Sequence, residues 1–278
     1  MDYNLINFKN KERSQDLNTI RLVVSSFIMA LLVALLLIGC GQKTDSAVKT
    51  GIIGAMDEEV DTLKQELENS KITDIAGMEF CEGKLDGAQV VVVKCGIGKV
   101  NAGTCAQILI NDFGVDRVIN TGVAGSLDAS IDIGDFVVST DAVQHDFDLS
   151  PIGYTKGQLD GFESASISAD DAMRQSAVYA IKECAPEVHV FEGRVCTGDQ
   201  FISSDEQKER ITSEFGGLCC EMEGGAIAQI CSQNQIPFVI IRAISDKADG
   251  SAHMDYPEFE KAAAERCART VHFMVTHD

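Results

Sequence analysis

The chain has 278 residues, of which 45% are hydrophobic, so it is long and apolar enough to bury a substantial core in one large domain or two small ones. Its formal net charge is −20, with 43 acidic against 23 basic residues. A nucleic-acid-binding protein needs a basic face for the phosphates, and the acidic excess therefore argues against DNA or RNA as a partner.

The amino terminus has the layout of a secretory signal. Residues 22–39 form an apolar run without a charged residue, and Leu-Ile-Gly-Cys at 37–40 resembles a bacterial lipobox. We therefore expect residues 1–39 to be a lipoprotein signal peptide, Cys40 to carry the lipid and residues 40–49 to form a polar tether. This predicts an extracytoplasmic protein that is lipid-anchored to a bacterial membrane. An uncleaved membrane anchor and a buried core helix are the alternatives.

The remaining cysteines do not suggest a metal centre. The chain has ten, and Cys40 belongs to the signal. The others have neither Cys-x-x-Cys nor zinc-ligand spacing, and several fall in apolar runs. We expect most of them to be small buried hydrophobic residues.

The domain is expected to begin with a strand and a helix. Residues 50–56 (TGIIGAM) form the predicted strand, and Asp57 is the expected helix cap. Glu58 and Glu59 then lie in the first helical turn, at the end of the sheet. In isolation such carboxylates most often only complement the helix dipole.

A hairpin and a glycine-rich segment follow. Residues 78–85 and 88–95 flank Asp-Gly at 86–87, a dipeptide that favours a hairpin, so the sheet should be mixed. Gly-Ile-Gly-Lys at 96–99 opens a helix that ends near residue 113. This short motif is weak evidence for a dinucleotide site, because the third glycine of that fingerprint is missing.

The second half predicts further strands, helices and one long loop. The expected strands lie at 117–121, 134–140 and 188–197, and the expected helices at 169–184, from Ser204 onward and at about 257–277. Gly-Val-Ala-Gly at 122–125 is expected to be a turn where the backbone can approach a ligand. Residues 149–164 have a proline, several glycines and no periodicity, which indicates a functional loop.

Residues 218–249 carry the most informative pattern. A short apolar run ends in carboxylates, a helix follows, and Phe-Val-Ile-Ile at 238–241 then forms a strand without polar alternation. Such a strand is buried on both faces, as in a mostly parallel sheet covered by helices, and these sheets bind ligands at the carboxyl ends of their strands. Five polar residues are expected to converge there, unless they are solvated loop charges: Glu221, Glu223, Arg242, Ser245 and Asp246.

These motifs resemble those of a known enzyme family. EMEGGAIA at 221–228, PFVIIRAISD at 237–246 and Gly-Ala-Met-x-Glu-Glu-Val at 54–60 are similar to the signature of the 5'-methylthioadenosine/S-adenosylhomocysteine nucleosidases, within the nucleoside phosphorylase superfamily. The resemblance covers about residues 50–276. It implies an α/β fold in which residues 50–278 form a single three-layer α/β/α domain with a mixed, twisted central sheet.

The resemblance also implies a reaction. The family hydrolyses the N-glycosidic bond of methylthioadenosine and S-adenosylhomocysteine, which releases adenine and a 5'-thioribose product in methionine salvage. This cleavage needs an acid at the purine and an activated water at the sugar, and two carboxyl groups can supply both. Asp246 is the expected acid, oriented by Ser245, and Glu59 is the expected base. No metal or cofactor is required.

The other family contacts surround the sugar and the purine. Glu223 is expected to hold the ribose hydroxyls beside Glu221, Met222 to pack beneath the sugar and Arg242 to help position the water. Val123 stands where many family members carry serine, which removes a hydroxyl near that water.

The purine and the 5' substituent are expected to meet apolar walls. Ile97 lines the pocket, Phe201 covers the adenine ring, and the backbone of Ile202 reads the purine edge. The long loop, around Ile152 and Tyr154, is expected to cover the alkylthio group in the other subunit of a homodimer.

Two other functions remain open from the sequence. A purine nucleoside phosphorylase would use phosphate in place of water, but the motifs contain only one obvious cation, Arg242. A lipid-anchored nucleoside-binding protein without turnover would retain the pocket and lose its acid or base. Glu59 and Asp246 are both present.

Overall fold

The computed structural model describes residues 47–277, so the predicted signal peptide and Cys40 lie outside the described residues. Strand β1 (Lys49–Gly54) and helix α1 (Asp57–Gln65) form the expected first unit. The helix cap differs from the prediction, because Met56 occupies the N-cap position. The Glu59 carboxylate, rather than Asp57, accepts the hydrogen bond from the Met56 N–H, at 3.1 Å.

The predicted hairpin is present. Strands β3 (Met78–Leu85) and β4 (Ala88–Lys94) pair antiparallel, and β4 pairs parallel with β1. Strand β2 (Glu68–Ile75) was not predicted, because its mostly exposed residues lack a buried face. It forms the outer edge of the sheet next to β3, and helix α2 (Lys99–Asp112) follows β4.

The second half of the chain adds six strands and four helices to the part that the structure describes. In chain order they are β5 (Arg117–Ser126), β6 (Phe136–Gln144), β7 (Ser166–Ser168), α3 (Asp171–Cys184), β8 (Val190–Thr197), α4 (Asp205–Phe215), β9 (Cys219–Glu221), α5 (Gly224–Gln233), β10 (Phe238–Asp246) and α6 (Ala252–Thr276).

Two of these boundaries correct the sequence predictions. The segment 122–125 is not a turn but continues β5, because Gly122 and Val123 pair with Arg242 and Ala243 of β10. Helix α6 begins at Ala252 instead of residue 257, after a turn in which the Asp249 carboxylate accepts a hydrogen bond from the Ser251 N–H at 2.9 Å.

The sheet is mixed, and part of it closes on itself. Strand β10 pairs parallel with β5 and antiparallel with β6. Because β6 continues through β8 and β9 back to β5, five strands form a ring of pairings. This closure brings the end of the short strand β9 against the end of β5, next to the end of β10.

Helices cover both faces of the sheet, as the three-layer expectation required. Helices α2 and α5 pack together on one face, and α6 packs with α1 and α3 on the other. All nine residues of β10 are buried, which confirms the prediction from its unbroken apolar run.

The nine described cysteines are free thiols, and eight of them are buried. Within residues 47–277, no helix is long and apolar enough to cross a membrane.

Candidate active site

A cleft of about 230 Å³ opens where β1, β5, β9 and β10 end. The residues that line it are Ala55, Met56, Glu59, Ile97, Val123, Ala124, Gly125, Phe201, Cys220, Glu221, Met222, Glu223, Arg242, Ser245, Asp246 and Tyr256. All predicted catalytic and substrate-binding residues are among them except Ile152, Tyr154 and Ile202. Among the described residues, no three His, Cys, Asp or Glu side chains are grouped to hold a metal ion.

Asp246 is the last residue of β10 and is 3% exposed. The Ser245 hydroxyl donates a hydrogen bond to its Oδ2 at 3.0 Å, and the Ala248 N–H donates to its Oδ1 at 2.8 Å. Burial raises the pKa of Asp246 although both hydrogen bonds favour the carboxylate. The carboxyl group is therefore fixed in orientation and retains its proton to higher pH than an exposed aspartate does.

Glu59 reaches the cleft from the first turn of α1 and is 1% exposed. Its Oε2 accepts hydrogen bonds from the N–H groups of Ala55 at 2.6 Å and Met56 at 3.1 Å. Its Oε1 accepts from the Val123 N–H at 3.0 Å. Burial raises the pKa of Glu59, while a nearby guanidinium and these three donors oppose the rise. The Val123 contact is made by the backbone, so it does not depend on the side chain at this position.

Arg242 is 1% exposed and lies under the cleft. Its Nη2 donates to Asn120 Oδ1 at 2.7 Å and to Glu221 Oε2, and its Nη1 donates to the Val123 carbonyl at 3.4 Å. A Cβ at position 122 would collide with this guanidinium and with the Glu59 carboxylate, so only Gly122 lets β5 approach them. Within the described residues, Nε of Arg242 has no hydrogen-bond partner.

Glu221 lies in an internal network. Its Oε1 accepts a hydrogen bond from the Thr197 hydroxyl, and its Oε2 accepts from the N–H groups of Glu223 at 3.1 Å and Gly224 at 2.7 Å. The Arg242 guanidinium contacts the same Oε2. Both oxygens thus have partners within the protein, and Glu221 fixes Arg242 and the start of α5.

Glu223 joins the cleft to the glycine-rich segment after β4. Its Oε1 accepts a hydrogen bond from the Gly98 N–H at 2.9 Å, and its Oε2 lies 3.5 Å from Arg242 Nη2. Gly98 has φ +99°, and Asp199 Oδ1 would lie 3.2 Å from a Cβ there, so a side chain at this position would be strained. Burial, with a contribution from neighbouring Glu221, raises the pKa of Glu223 to about 7.

Two aromatic rings form one side of the cleft. Phe201 is 47% exposed, and its ring meets that of Tyr256 edge to face, with the centroids 5.6 Å apart. The Tyr256 hydroxyl lies 3.1 Å from Met56 Sδ, and burial raises its pKa. Tyr256 was not among the predicted site residues, because the last helix was predicted to begin only at residue 257, one position after it. Ile202 lines a smaller recess that adjoins the cleft.

The residue predicted to line the nucleoside pocket and those predicted to cover the alkylthio group are separated. Ile97 lines the cleft and is 54% exposed. Ile152 ends a short 3-10 turn and is 72% exposed, and Tyr154 donates its hydroxyl hydrogen bond to Asp160 at 2.8 Å. Neither Ile152 nor Tyr154 lines the cleft of its own chain.

Comparison with known proteins places the chain among nucleoside-cleaving enzymes. The phosphorylase superfamily profile matches residues 49–276. The 5'-methylthioadenosine/S-adenosylhomocysteine nucleosidase of Geobacillus sp. (strain WCH70) is 41% identical over 225 residues, which are 81% of this chain and 96% of that protein. The crystal structure of such a nucleosidase from Colwellia psychrerythraea 34H in complex with adenine is 40% identical, with a TM-score of 0.80 over 83% of this chain and 95% of that one. Futalosine hydrolase of Helicobacter pylori is 32% identical, with a TM-score of 0.79 over 84% and 99%.

Proposed function

The chain belongs to the phosphorylase superfamily and, within it, to the 5'-methylthioadenosine/S-adenosylhomocysteine nucleosidases, and on this basis we propose a role for each residue of its cleft. The protein is a hydrolase that cleaves the N-glycosidic bond of methylthioadenosine and S-adenosylhomocysteine and releases adenine. One observation carries the assignment of roles: Glu59 and Asp246, two buried carboxyl groups with raised pKa values, line the same cleft.

Asp246 is the general acid. Breaking the bond leaves electrons on the departing purine, and the protonated Asp246 donates its proton, or a hydrogen bond, to purine N7. Its raised pKa favours the proton-bearing form in the free enzyme. Ser245 and the Ala248 N–H hold the carboxyl group in one orientation, so little reorganisation is needed when the purine leaves.

Glu59 is the general base. The ribose becomes positively charged as the purine leaves, and Glu59 takes a proton from the water whose oxygen bonds to the sugar carbon. Its three backbone hydrogen bonds fix the carboxylate, and its negative charge favours the oxocarbenium-like sugar. Arg242 is held beneath it by Glu221 and Asn120 and helps to position the water.

The remaining residues bind the nucleoside. Glu223 accepts hydrogen bonds from the ribose hydroxyls, Met222 packs beneath the sugar, Phe201 covers the adenine, and the Ile202 backbone reads the purine edge. Ile97 is an apolar wall of the nucleoside pocket. The exposure of Phe201 and Ile97 in the open cleft supports these roles, because the ligand would cover apolar surface there.

Phosphorolysis is the rival reaction. A phosphorylase needs a cationic or amide-lined phosphate site, whereas Arg242 is the one cation among the described residues that line the cleft. Its guanidinium already contacts Glu221 and lies 3.5 Å from Glu223 at its Nη2. These contacts support water as the nucleophile.

The test is chromatography of the products that a soluble protein beginning at Ala47 forms from methylthioadenosine, S-adenosylhomocysteine, futalosine and adenosine. We expect adenine release from the first two at the same rate with and without phosphate. Release that requires phosphate would favour the phosphorylase. Nucleoside binding without any release would favour an inactive binding protein, and Asp246→Asn provides the matched control for that outcome.

A homodimer would complete the cleft. Ile152 is 72% exposed, Val100 at the start of α2 is 81% exposed, and Ile97 at the cleft is 54% exposed. Such apolar side chains gain from being covered, and two-fold pairing is the commonest way to cover them. The loop with Ile152 and Tyr154 would then cover the 5' substituent in the partner's cleft. Analytical ultracentrifugation at assay concentration is the measurement; a fully active monomer would show that this idea is wrong.

Export and lipid anchoring are a further part of the proposal. The apolar run 22–39 and Cys40 support them, and two or three acyl chains on one cysteine anchor a protein stably. The catalytic domain would then meet nucleosides outside the cytoplasm. Cys40→Ser should abolish incorporation of labelled fatty acid and leave an unprocessed precursor. Wild-type protein that fractionates as soluble material with residues 1–39 intact would refute the anchor and leave the nucleosidase assignment unaffected.

A further inference from the structure

Lys99 lies at the meeting point of several loops around the cleft. It is the first residue of α2, directly after Gly98, whose N–H binds Glu223. Its Nζ donates a hydrogen bond to Asp146 Oδ1 at 2.6 Å and another to Gln144 Oε1 at 3.3 Å. The side chains of Lys99 and Asp146 are only 18% and 21% exposed, so solvent shields this ion pair less than it shields a surface pair.

Asp199 and Asp146 extend this contact to the segment that carries Phe201. Asp199 Oδ1 accepts a hydrogen bond from the Lys99 N–H at 2.8 Å, and the Asp199 N–H donates to Asp146 Oδ2 at 2.9 Å. The Asp146 carboxylate therefore has one oxygen on the Lys99 ammonium and the other on the backbone of the purine-side loop. The Asp146 carboxylate thus links the Lys99 segment on one side of the cleft to the Phe201 segment on the other.

Gln144 carries the connection to the sugar side. Besides accepting from Lys99, its side-chain amide donates to the Gly225 carbonyl at 3.3 Å and to Gln229 Oε1 at 2.9 Å. Gly225 lies in the first turn of α5, two residues after Glu223. Asp146 itself lies shortly before the loop 149–164, so the contacts also reach the segment proposed to cross to the partner subunit.

From this arrangement we propose that Lys99 and Asp146 form a positioning pair, which holds the Ile97 and Phe201 walls of the cleft at the spacing that a bound nucleoside requires. The inference rests on the proposed function of the cleft. The pair touches no reacting atom; it acts through Glu223, by way of Gly98, and through the loop that carries Phe201.

Loss of the pair should weaken nucleoside binding more than the chemical step. The acid Asp246 and the base Glu59 are held by contacts that do not include Lys99. Removing a charged hydrogen bond typically costs about ten- to hundredfold in an equilibrium constant. We therefore expect KM for methylthioadenosine and the dissociation constant of adenine to rise by about ten- to hundredfold in Lys99→Met, while kcat changes by less than about threefold.

The structure offers a matched control. Lys49 makes an ion pair with Glu82 at 2.7 Å and is 23% exposed, much like Lys99, but it begins β1, at the opposite end of that strand from the cleft. Lys49→Met should leave KM and kcat unchanged. Lys99→Arg retains the charge and should recover most of the affinity. Asp146→Asn should raise KM and the adenine dissociation constant as much as Lys99→Met does. The double variant should bind no more weakly than the weaker-binding single variant, because the two residues act as a unit.

Steady-state kinetics, adenine calorimetry and thermal denaturation of the five variants decide the question. Unchanged KM and adenine affinity in a folded Lys99→Met would overturn the proposal, as would equal kinetic losses in Lys49→Met. Failure of Lys99→Arg to recover affinity in a folded protein would also contradict it. If the wild type releases no adenine, the proposed function fails instead; if the wild type turns over and Lys99→Met equals it, only the positioning role fails.

Discussion

Replacing Glu223 with glutamine should stabilise the fold at neutral pH while it weakens ribose binding. Burial and the neighbouring Glu221 raise the pKa of Glu223 from its ordinary 4.5 to about 7. Glutamine is a neutral stand-in for the protonated acid, and its oxygen can still accept the hydrogen bond from the Gly98 N–H. The native enzyme therefore retains at this position a carboxylate whose ionisation opposes folding.

The sign and the magnitude follow from proton linkage. Below pH 4.5 the folded and unfolded states both hold the proton; between pH 4.5 and about 7 the unfolded state has lost it and the folded state retains it. The wild-type free energy of unfolding therefore falls as pH rises through this window. At about 1.36 kcal/mol per pKa unit, the rise in pKa from 4.5 to about 7 lowers the free energy of unfolding by about 3 kcal/mol. Glu223→Gln should not lose this stability as pH rises, because glutamine does not ionise.

Urea denaturation at pH 4.5, 6 and 8, at one fixed protein concentration, measures the effect. The variant should equal the wild type at pH 4.5 and exceed its free energy of unfolding by about 3 kcal/mol at pH 8. Glu82→Gln removes a charge from a partly exposed ion pair and should change stability by less than about 1 kcal/mol. If the difference in the free energy of unfolding between Glu223→Gln and wild type is the same from pH 4.5 to 8, ionisation of the buried carboxyl group does not destabilise the fold as predicted.

Asp246→Asn and Glu59→Gln should fold normally and each lose about 10²–10⁴-fold in kcat, measured by adenine release beside thermal denaturation; near wild-type turnover in either would remove its role. In the wild type, kcat/KM should fall at low pH as Glu59 gains a proton and at high pH as Asp246 loses one, and Asp246→Asn should lack the alkaline limb. His272 of α6 lies between Glu66, at 2.6 Å, and Asp86, at 3.0 Å, which together raise its pKa against the opposing effect of burial. His272→Gln should therefore lose up to about 1 kcal/mol of stability at pH 5.5, where the imidazolium is present, and less as pH rises through the folded pKa; an equal loss at pH 5.5 and 8.5 would contradict the ion-pair account.

The sequence predicted those parts of the fold that depend on neighbouring residues. The Asp-Gly turn between β3 and β4 and the unbroken apolar run of β10 determine local structure whatever other part of the chain packs against them. The motif that begins at Glu221 and the motif that ends at Asp246 likewise identify strand ends that carry polar groups. Strand β2 escaped prediction because an exposed edge strand has no apolar alternation, and the boundary of α6 depended on a capping turn without a strong signal.

The sequence alone placed the polar groups at strand ends, and only the tertiary structure decided how those ends meet. The pairing of β10 with both β5 and β6 closes a ring of five strands, and that closure sets the end of β9 beside the end of β10. It turns Glu221 inward against Thr197 and Arg242, while α6 returns from the far end of the chain to bring Tyr256 over the cleft. The raised pKa values have the same origin, because the burial that raises them and the guanidinium that opposes the rise at Glu59 and Glu223 both arise from contacts between residues far apart in sequence.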